Sequence, residues 1–270
     1  MCRLYGFRAT APTNVACALV QAPNALMVQS RQDQAGHSHT HGWGIATYSD
    51  GVPHVERQAG AAYQDEAFRH AANRADSRTV VAHVRQASIG SVCLDNTHPF
   101  VHGRWVFAHN GTLGAFTKMR VWMLDAMTPE HRTAIRGATD SEHIFHFLMS
   151  LSVQHPEDTP LTILRMGLRQ LLAWSHQADA TATIGLNVLL SNGEELVGSR
   201  WGRTLWYLEQ DRLQDCEICG FSHIRHDPHG NYRAAVIASE PISPGPWMAA
   251  PEGTLFGITP DMQVRFEPLV

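Results

Sequence analysis

Met1-Cys2-Arg3-Leu4-Tyr5-Gly6-Phe7 begins the sequence, and the apolar and aromatic residues after Cys2 predict a buried β-strand over residues 2–9. Methionine aminopeptidase usually removes Met1 before a small residue, so we expect a mature chain that starts with Cys2. Such a residue carries a thiol, which attacks as its thiolate, and a free α-amine that can take the thiol proton. A Met-Cys start also arises by chance, so the remaining motifs have to decide whether Cys2 is a nucleophile.

Composition limits the class of protein. The chain has 270 residues, 44% of them hydrophobic, which is enough for one large core or two small ones. The net charge of -4 argues against a nucleic-acid partner. No apolar run approaches the roughly 20 residues of a membrane span, and no signal-peptide pattern is present. We therefore expect a cytoplasmic protein without a membrane partner, whose five cysteines are free thiols.

Strand patterns occupy both ends of the sequence, and helix patterns fill its middle. Helices are predicted near 15–20, over 63–74, and in the segments that begin at 128, 139 and 159. Asp50-Gly51 and Asn192-Gly193 predict hairpin turns. Strands are predicted over 2–9, 41–48, 52–57, 79–85, 105–109, 182–191, 195–200, 204–209, 232–239, 253–258 and 263–267. This order predicts an α+β fold of two antiparallel sheets with helices, in a single domain over residues 2–270.

Three polar groups come at the ends of predicted elements. Arg85 follows a strand, where its guanidinium could bind a carboxylate through two hydrogen bonds or could simply be a surface charge. Asn110-Gly111 follows another strand; it is either a tight turn or a pair of donors for an oxyanion. Asp140 lies at a predicted helix start, where it could cap the helix or bind a substrate ammonium.

Taken together, these groups fit one kind of substrate. An Arg for an α-carboxylate and an Asp for an α-ammonium recognise a free amino-acid head. A nucleophile and an oxyanion hole at the far end imply attack on a side-chain carbonyl. The simplest ligand is glutamine or another small γ-glutamyl compound.

The motifs also occur in an order that resembles the class II glutamine amidotransferases, a family of N-terminal-nucleophile (Ntn) hydrolases. They are Met1-Cys2-Arg3, His41-x-Trp43-Gly44, His83-x-Arg85, Asn96-Thr-His98-Pro99-Phe100, His109-Asn110-Gly111 and Thr139-Asp140-Ser141-Glu142. The resemblance is close over about the first 150 residues. It implies a four-layer αββα sandwich of two antiparallel sheets and no cofactor or metal in the reaction.

The resemblance also implies a role for each matching residue. Cys2 would be the nucleophile and, through its α-amine, the base. The substrate head would be held by Arg85 at the carboxylate and by Asp140 at the ammonium. The remaining implied roles are oxyanion stabilisation by Asn110 and the Gly111 N–H, contact near the substrate carboxylate by Ser88, and lining of the site by Trp43 and Gly44. His98 is interpreted as a structural histidine.

Several features depart from the sugar-phosphate synthases of this family. Gln86 stands where they commonly have Trp, Ile89 where they have His, and no synthase domain follows. The pattern is similar to the stand-alone YafJ/EgtC-like subgroup, which implies that water is the acceptor and that the chain is a γ-glutamyl amide hydrolase. We expect the segments Ser30–Thr40 and Leu113–Met127 to be variable loops that recognise the group on the amide nitrogen.

Two alternatives remain open from the sequence. One is a γ-glutamyl-binding or amidotransferase subunit that acts with a separate partner enzyme; a homo-oligomer is equally compatible with the sequence. The other is a zinc-binding module that uses Cys216 and Cys219 with His223, His226 and His229.

Overall fold

The computed structural model describes residues 2–211, 216, 218–220, 223–224 and 231–270. The strands are β1 (Arg3–Asn14), β2 (Trp43–Ser49), β3 (Val52–Gln58), β4 (Asp76–Val84), β5 (Phe100–His102), β6 (Trp105–Leu113), β7 (Ile184–Ser191), β8 (Leu196–Arg200), β9 (Trp206–Gln210), β10 (Ala234–Ala238), β11 (Met248–Ala249), β12 (Thr254–Ile258) and β13 (Val264–Pro268). The α-helices are α1 (Leu26–Arg31), α2 (Glu66–Arg74), α3 (Phe116–Ala126), α4 (Pro129–Ala134), α5 (Asp140–Gln154) and α6 (Pro160–Ala178).

These strands form two antiparallel sheets. The first has the order β11-β9-β10-β1-β4-β2-β3, and the second has the order β13-β12-β8-β7-β6-β5. Within the first sheet β1 lies between β10 and β4, and its register with β4 sets Arg3 opposite Val84. Continuing that antiparallel register by one residue places Cys2 beside Arg85, at the end of the central strand pair.

Successive side chains along each strand point to opposite faces of the sheet, and this produces the layers. In β1, Tyr5 and Phe7 pack with α1 and α2 on the outer face of the first sheet, whereas Leu4 faces the second sheet. In β6, Phe107 packs with α3, α5 and α6 on the outer face of the second sheet, whereas Val106 faces the first. The result is a helix–sheet–sheet–helix arrangement, which confirms the α+β prediction of two antiparallel sheets covered by helices.

Both predicted hairpins are confirmed: β2 pairs with β3 through Ser49 and Val52, and β7 pairs with β8 through Ser191 and Leu196. The short helix predicted near 15–20 is a π-helical turn, Cys17–Gln21. Within the described residues, no helix is long and apolar enough to cross a membrane.

Two segments that were predicted to be variable loops are more ordered than expected. Leu113–Met127 contains α3, which buries Phe116, Met119 and Met123 against the second sheet. Ser30–Thr40 includes the end of α1, and its Asp33 and His39 side chains are buried. In the first segment the apolar spacing of Phe116, Met119 and Met123 was not recognised, and in the second nothing local marks its polar groups as buried.

Candidate active site

Cys2 immediately precedes β1 and is partly buried. Its thiol donates a hydrogen bond to the Gln86 carbonyl at an Sγ–O distance of 3.5 Å. Burial raises the pKa of this thiol, and the nearby Arg85 guanidinium acts in the opposite direction. The thiol therefore needs a base before it can attack. The expected removal of Met1 concerns a residue outside the described part of the chain.

A buried ion cluster holds the backbone of Cys2. Arg3 donates from Nη1 to the Cys2 carbonyl at 3.0 Å. Its other terminal nitrogen contacts the carboxylates of Asp33 and Glu240, the latter at 3.0 Å. His39 Nε2 lies 3.0 Å from Asp33 Oδ2. The contacts of Arg3 with Asp33 and Glu240 were not predicted from the sequence. The only local signal was Arg3 itself, a charged residue early in a strand that is otherwise buried.

Arg85 follows β4 and is 2% exposed. Its guanidinium donates to the carbonyls of Ser91, at 3.0 Å, and Ile89, at 2.9 Å. Burial lowers the pKa of Arg85, but a guanidinium stays charged in proteins. Since these carbonyls use only part of its five N–H groups, the side chain is held in place and retains donors for a carboxylate.

Asn96 connects the Arg85 loop to the segment before Asp140. It donates to the Ser91 carbonyl at 3.0 Å and accepts from the Ala138 N–H at 2.8 Å. The adjoining Arg136 and Gly137 N–H groups bind the Glu142 carboxylate in the first turn of α5. These contacts give two of the motif segments a fixed relative position.

Asp140 is the first residue of α5 and is 3% exposed. Its carboxylate accepts from the Leu113 N–H at 2.8 Å and the Ser141 N–H at 2.9 Å, while Thr139 supplies the helix cap. The helix N-terminus favours a negative charge here. Burial is the main cause of the raised pKa of the Cys2 thiol, and the Asp140 carboxylate acts in the same direction.

Asn110 lies in β6 and is 1% exposed. Its Nδ2 donates to Ser239 Oγ at 3.5 Å, and the same oxygen accepts from the Leu4 N–H at 2.9 Å. Ser239 therefore joins the amide of Asn110 to β1, two residues after Cys2. Ser239 was missed in the sequence because no motif marks it.

Gly111 is required by close packing between β6 and β7. A Cβ at this position would lie 1.9 Å from the Gly185 carbonyl oxygen. The same oxygen accepts a hydrogen bond from His109 Nε2 at 2.9 Å, and His109 Nδ1 lies 2.8 Å from Ser141 Oγ. Donation from Nε2 makes Nδ1 the acceptor of the Ser141 hydroxyl, so the motif segments support one another.

The other predicted binding residues have different surroundings. Ser88 is exposed, with its hydroxyl 3.0 Å from that of Thr112. Trp43 is 1% exposed, packs edge-on against Phe68 and donates to Asp65 at 2.8 Å.

Gly44 lies against the turn that contains His98. A Cβ on Gly44 would lie 2.3 Å from the His98 carbonyl oxygen. The His98 ring stacks on His83 with centroids 4.1 Å apart, but neither of its buried ring nitrogens has a hydrogen-bond partner among the described residues, so the expected structural histidine packs rather than forming hydrogen bonds. Substrate contact by Ser88, Trp43 and Gly44 stays a prediction.

The residues of the zinc alternative lie in a separate place. Cys216, Cys219 and His223 come together with Cys17, and their ligand atoms are all within 4.8 Å of one another. Cys17 was not expected in this group, because it is about 200 residues away in the sequence. His226 and His229 lie outside the described residues.

Comparisons with known proteins show which proteins the chain resembles. The family model for class II glutamine amidotransferases matches residues 1–263. A γ-glutamyl-hercynylcysteine sulfoxide hydrolase from Mycolicibacterium smegmatis is 28% identical over 265 residues, which cover 96% of each chain. The Mycobacterium tuberculosis protein of the same name is 28% identical over 214 residues, 78% of this chain and 81% of the relative.

A solved glutamine aminotransferase class-II domain protein from Silicibacter pomeroyi has a similar fold. It superimposes with a TM-score of 0.66 over 98% of both chains at 21% identity. At that identity the likeness concerns the fold alone.

Proposed function

The chain belongs to the class II glutamine amidotransferases, and we propose that it hydrolyses the γ-amide of glutamine or of another γ-glutamyl compound through a γ-glutamyl thioester on Cys2. The supporting observation is the position of Cys2 at the end of the central strand: the register of β1 with β4 continues beside Arg85, the Cys2 thiol bonds the adjoining Gln86 carbonyl, and the Asp140 carboxylate binds the Leu113 N–H at the end of β6. A cation and an anion beside one thiol suit a zwitterionic amino-acid substrate.

Recognition of the head follows from these two charges. Arg85 receives the α-carboxylate on its remaining N–H groups, because loop carbonyls already fix its plane. Asp140 receives the α-ammonium on a carboxylate that backbone donors hold in place. Neither side chain has to be reordered when substrate binds, which lowers the entropic cost of binding.

The chemistry begins when the Cys2 α-amine takes the thiol proton and the thiolate attacks the γ-carbonyl carbon. Asn110 Nδ2 and the Gly111 N–H donate to the oxyanion that forms. The C–N bond breaks as the α-ammonium of Cys2 protonates the departing nitrogen. Water, deprotonated by the same amine, attacks the thioester carbonyl, and glutamate leaves as the thiolate is restored.

The α-amine of Cys2 supplies the base that the raised pKa of the Cys2 thiol requires. Because burial raises the pKa of the Cys2 thiol, little thiolate forms without proton transfer. An α-amine has a pKa of about 8, close enough to ambient pH to act in both directions. A retained Met1 would remove this amine, so we expect the unprocessed chain to be inactive.

Hydrolysis of a panel of γ-glutamyl amides tests the proposal. Purified protein with an N-terminal Cys2 should release glutamate from glutamine, glutathione or a related γ-glutamyl amide. The Cys2→Ala variant should release none, with an unchanged urea unfolding midpoint to show that it is folded. Hydrolysis that persists in this variant would contradict the assignment of Cys2.

Head-group analogues separate binding from chemistry. Acetylation of the substrate α-amine removes the charge for Asp140, and amidation of the α-carboxylate removes the charge for Arg85. Each change should lower kcat/KM by about 100-fold, the loss of one charge-assisted contact of roughly 2–3 kcal/mol. Equal rates with the analogues would show that these residues do not bind the head.

The same assay decides between a hydrolase and the alternative of a subunit that acts with a partner enzyme. A hydrolase turns over as the isolated chain. A subunit would bind the γ-glutamyl compound but release glutamate only after native extract is added.

A further inference from the structure

We propose that Cys17, Cys216, Cys219 and His223 bind one structural zinc ion, at the end of β1 opposite Cys2. All four ligand atoms lie within 4.8 Å of one another, and Cys219 Sγ lies 3.2 Å from His223 Nε2. Ligands of a tetrahedral zinc ion, at about 2.0–2.3 Å from the metal, are separated by roughly 3.5–3.8 Å. Shifts of about 1 Å would therefore complete the site.

The donor set selects the metal. Three thiolates and one imidazole favour zinc over the hard cations, which prefer oxygen ligands. Four protein ligands leave no open position, as in structural rather than catalytic zinc sites. Cys17 is 5% exposed, so the site lies against the folded core.

The backbone around each ligand is arranged to present it. Between Cys216 and Cys219 the chain turns back, with the Gly220 N–H bonded to the Cys216 carbonyl at 2.7 Å. Gly220 has a φ of +74°, which glycine adopts without strain. Such a turn brings the two thiols of a Cys-x-x-Cys segment to the same side.

The other two ligands lie at the end of β1, His223 beside the strand and Cys17 just after it. The His223 carbonyl accepts from the Asn14 N–H at 3.0 Å, so His223 is fastened beside that strand. Cys17 lies three residues after Asn14 and is the first residue of the π-helical turn. Its thiol also contacts Gln21 Oε1 at 3.1 Å. Cys17 is therefore brought together with three ligands that are about 200 residues away in the sequence.

A metal here would have a structural purpose. Residues 211–233 separate β9 from β10 in the sequence, and three of the four ligands belong to this stretch. A zinc ion would tie Cys216, Cys219 and His223 to Cys17, just after β1. Since β1 has 12 residues and a strand rises about 3.3 Å per residue, the site lies far from Cys2, and its loss should lower stability rather than block the chemistry.

Zinc content is the first test. Protein made without a histidine tag, exposed to zinc chloride under reducing conditions and desalted, should retain one zinc per chain by mass spectrometry. The Cys216→Ser/Cys219→Ser double variant should lose one equivalent, and the matched Cys93→Ser control should lose none. No zinc in the parent protein, or equal zinc in the double variant, would overturn the proposal.

Cobalt substitution identifies the ligands even if the double variant folds poorly. A second group, His102, His131 and His146, could also hold a metal ion, but imidazoles give no thiolate-to-cobalt charge transfer. The parent protein loaded with Co²⁺ should show this intense near-ultraviolet absorption, and Cys17→Ser should diminish it. A Co²⁺ spectrum without thiolate charge transfer would overturn the proposal.

Thiol titration distinguishes zinc from a disulfide at the same place. After removal of metal by a chelator and denaturation without reductant, all five cysteines should react as thiols. A count lower by two would assign the cluster to a disulfide instead. Chelation should also lower the thermal midpoint of the parent protein and leave that of the double variant unchanged.

Discussion

Replacement of Arg3 by Met should cost far more stability than loss of an exposed ion pair. Arg3 is 4% exposed and contacts two buried carboxylates, Asp33 and Glu240. Its removal leaves both without their cation, a change that costs about 3–5 kcal/mol in buried pairs. The lost bond to the Cys2 carbonyl adds roughly 1 kcal/mol. Total stability of a domain is only about 5–15 kcal/mol, so Arg3→Met should be marginally folded.

The cost should depend on pH because His39 lies beside Asp33. Burial, then the charge of Arg3, lowers the pKa of His39 to about 4, so its imidazole is neutral at pH 7. Without Arg3 that pKa rises, and a protonated His39 can partly replace the lost cation. The difference in unfolding free energy between Arg3→Met and the parent should therefore be smaller at pH 6 than at pH 8.

Urea unfolding followed by tryptophan fluorescence measures this cost. Arg74→Met is the matched control, since Arg74 forms an exposed ion pair with Glu56 and should cost less than about 1 kcal/mol. Equal losses in the two variants would refute the reasoning about the buried cluster. Because Arg3 holds the Cys2 backbone, kcat of the folded Arg3→Met fraction should also fall, while the Arg74→Met value stays unchanged.

Three further predictions follow from the site and the core. Gly111→Ala should give little folded protein, because its Cβ would lie 1.9 Å from the Gly185 carbonyl oxygen. The control variant Gly60→Ala should express like the parent, because no atom lies within 4 Å of its new Cβ. Arg85→Lys should raise KM for glutamine by about 10- to 100-fold, since an ammonium cannot replace the bidentate fork, and steady-state glutamate release measures it. Burial, then nearby histidine charges, lowers the pKa of His146 from 6.5 to about 4, so stability should fall with acidification.

The sign of the acid effect follows from proton uptake. Between pH 6.5 and pH 4 the unfolded chain binds a proton at His146 that the folded chain does not, so the free energy of unfolding decreases as pH falls. From pH 6.5 to pH 5 this residue contributes a loss of about 1.5 kcal/mol. His146→Leu should reduce the pH dependence of the unfolding free energy from urea titrations by that amount; an unchanged dependence would contradict a neutral buried His146. A soluble, folded Gly111→Ala or an unchanged KM in Arg85→Lys would count equally against the corresponding contacts.

The parts of the fold that could be predicted depend on local patterns. Strand alternation and the turn pairs Asp50-Gly51 and Asn192-Gly193 report on neighbours in sequence, and the structure confirms them. Helix α3 was not predicted, although Phe116, Met119 and Met123 are spaced for one buried face.

What the sequence could not show is which distant polar groups meet. Asp33 and Glu240 are separated by about 200 residues, yet both contact Arg3. Nothing local marks Ser239 as the partner of the Asn110 amide. Motif order identified the residues that would touch substrate, but the groups that fix their positions became visible only through the packing of the sheets.

Acid-quenched protein from steady-state turnover of a γ-glutamyl substrate tests the central claim most directly. Peptide mass spectrometry should find a population without Met1 whose N-terminal peptide begins with Cys2 and carries one glutamyl acyl group. The acyl group should be absent from Cys2→Ala. Substrate consumption with an unmodified N-terminal peptide, with the acyl group on another residue, or with Met1 still attached in the acylated chain would contradict the account.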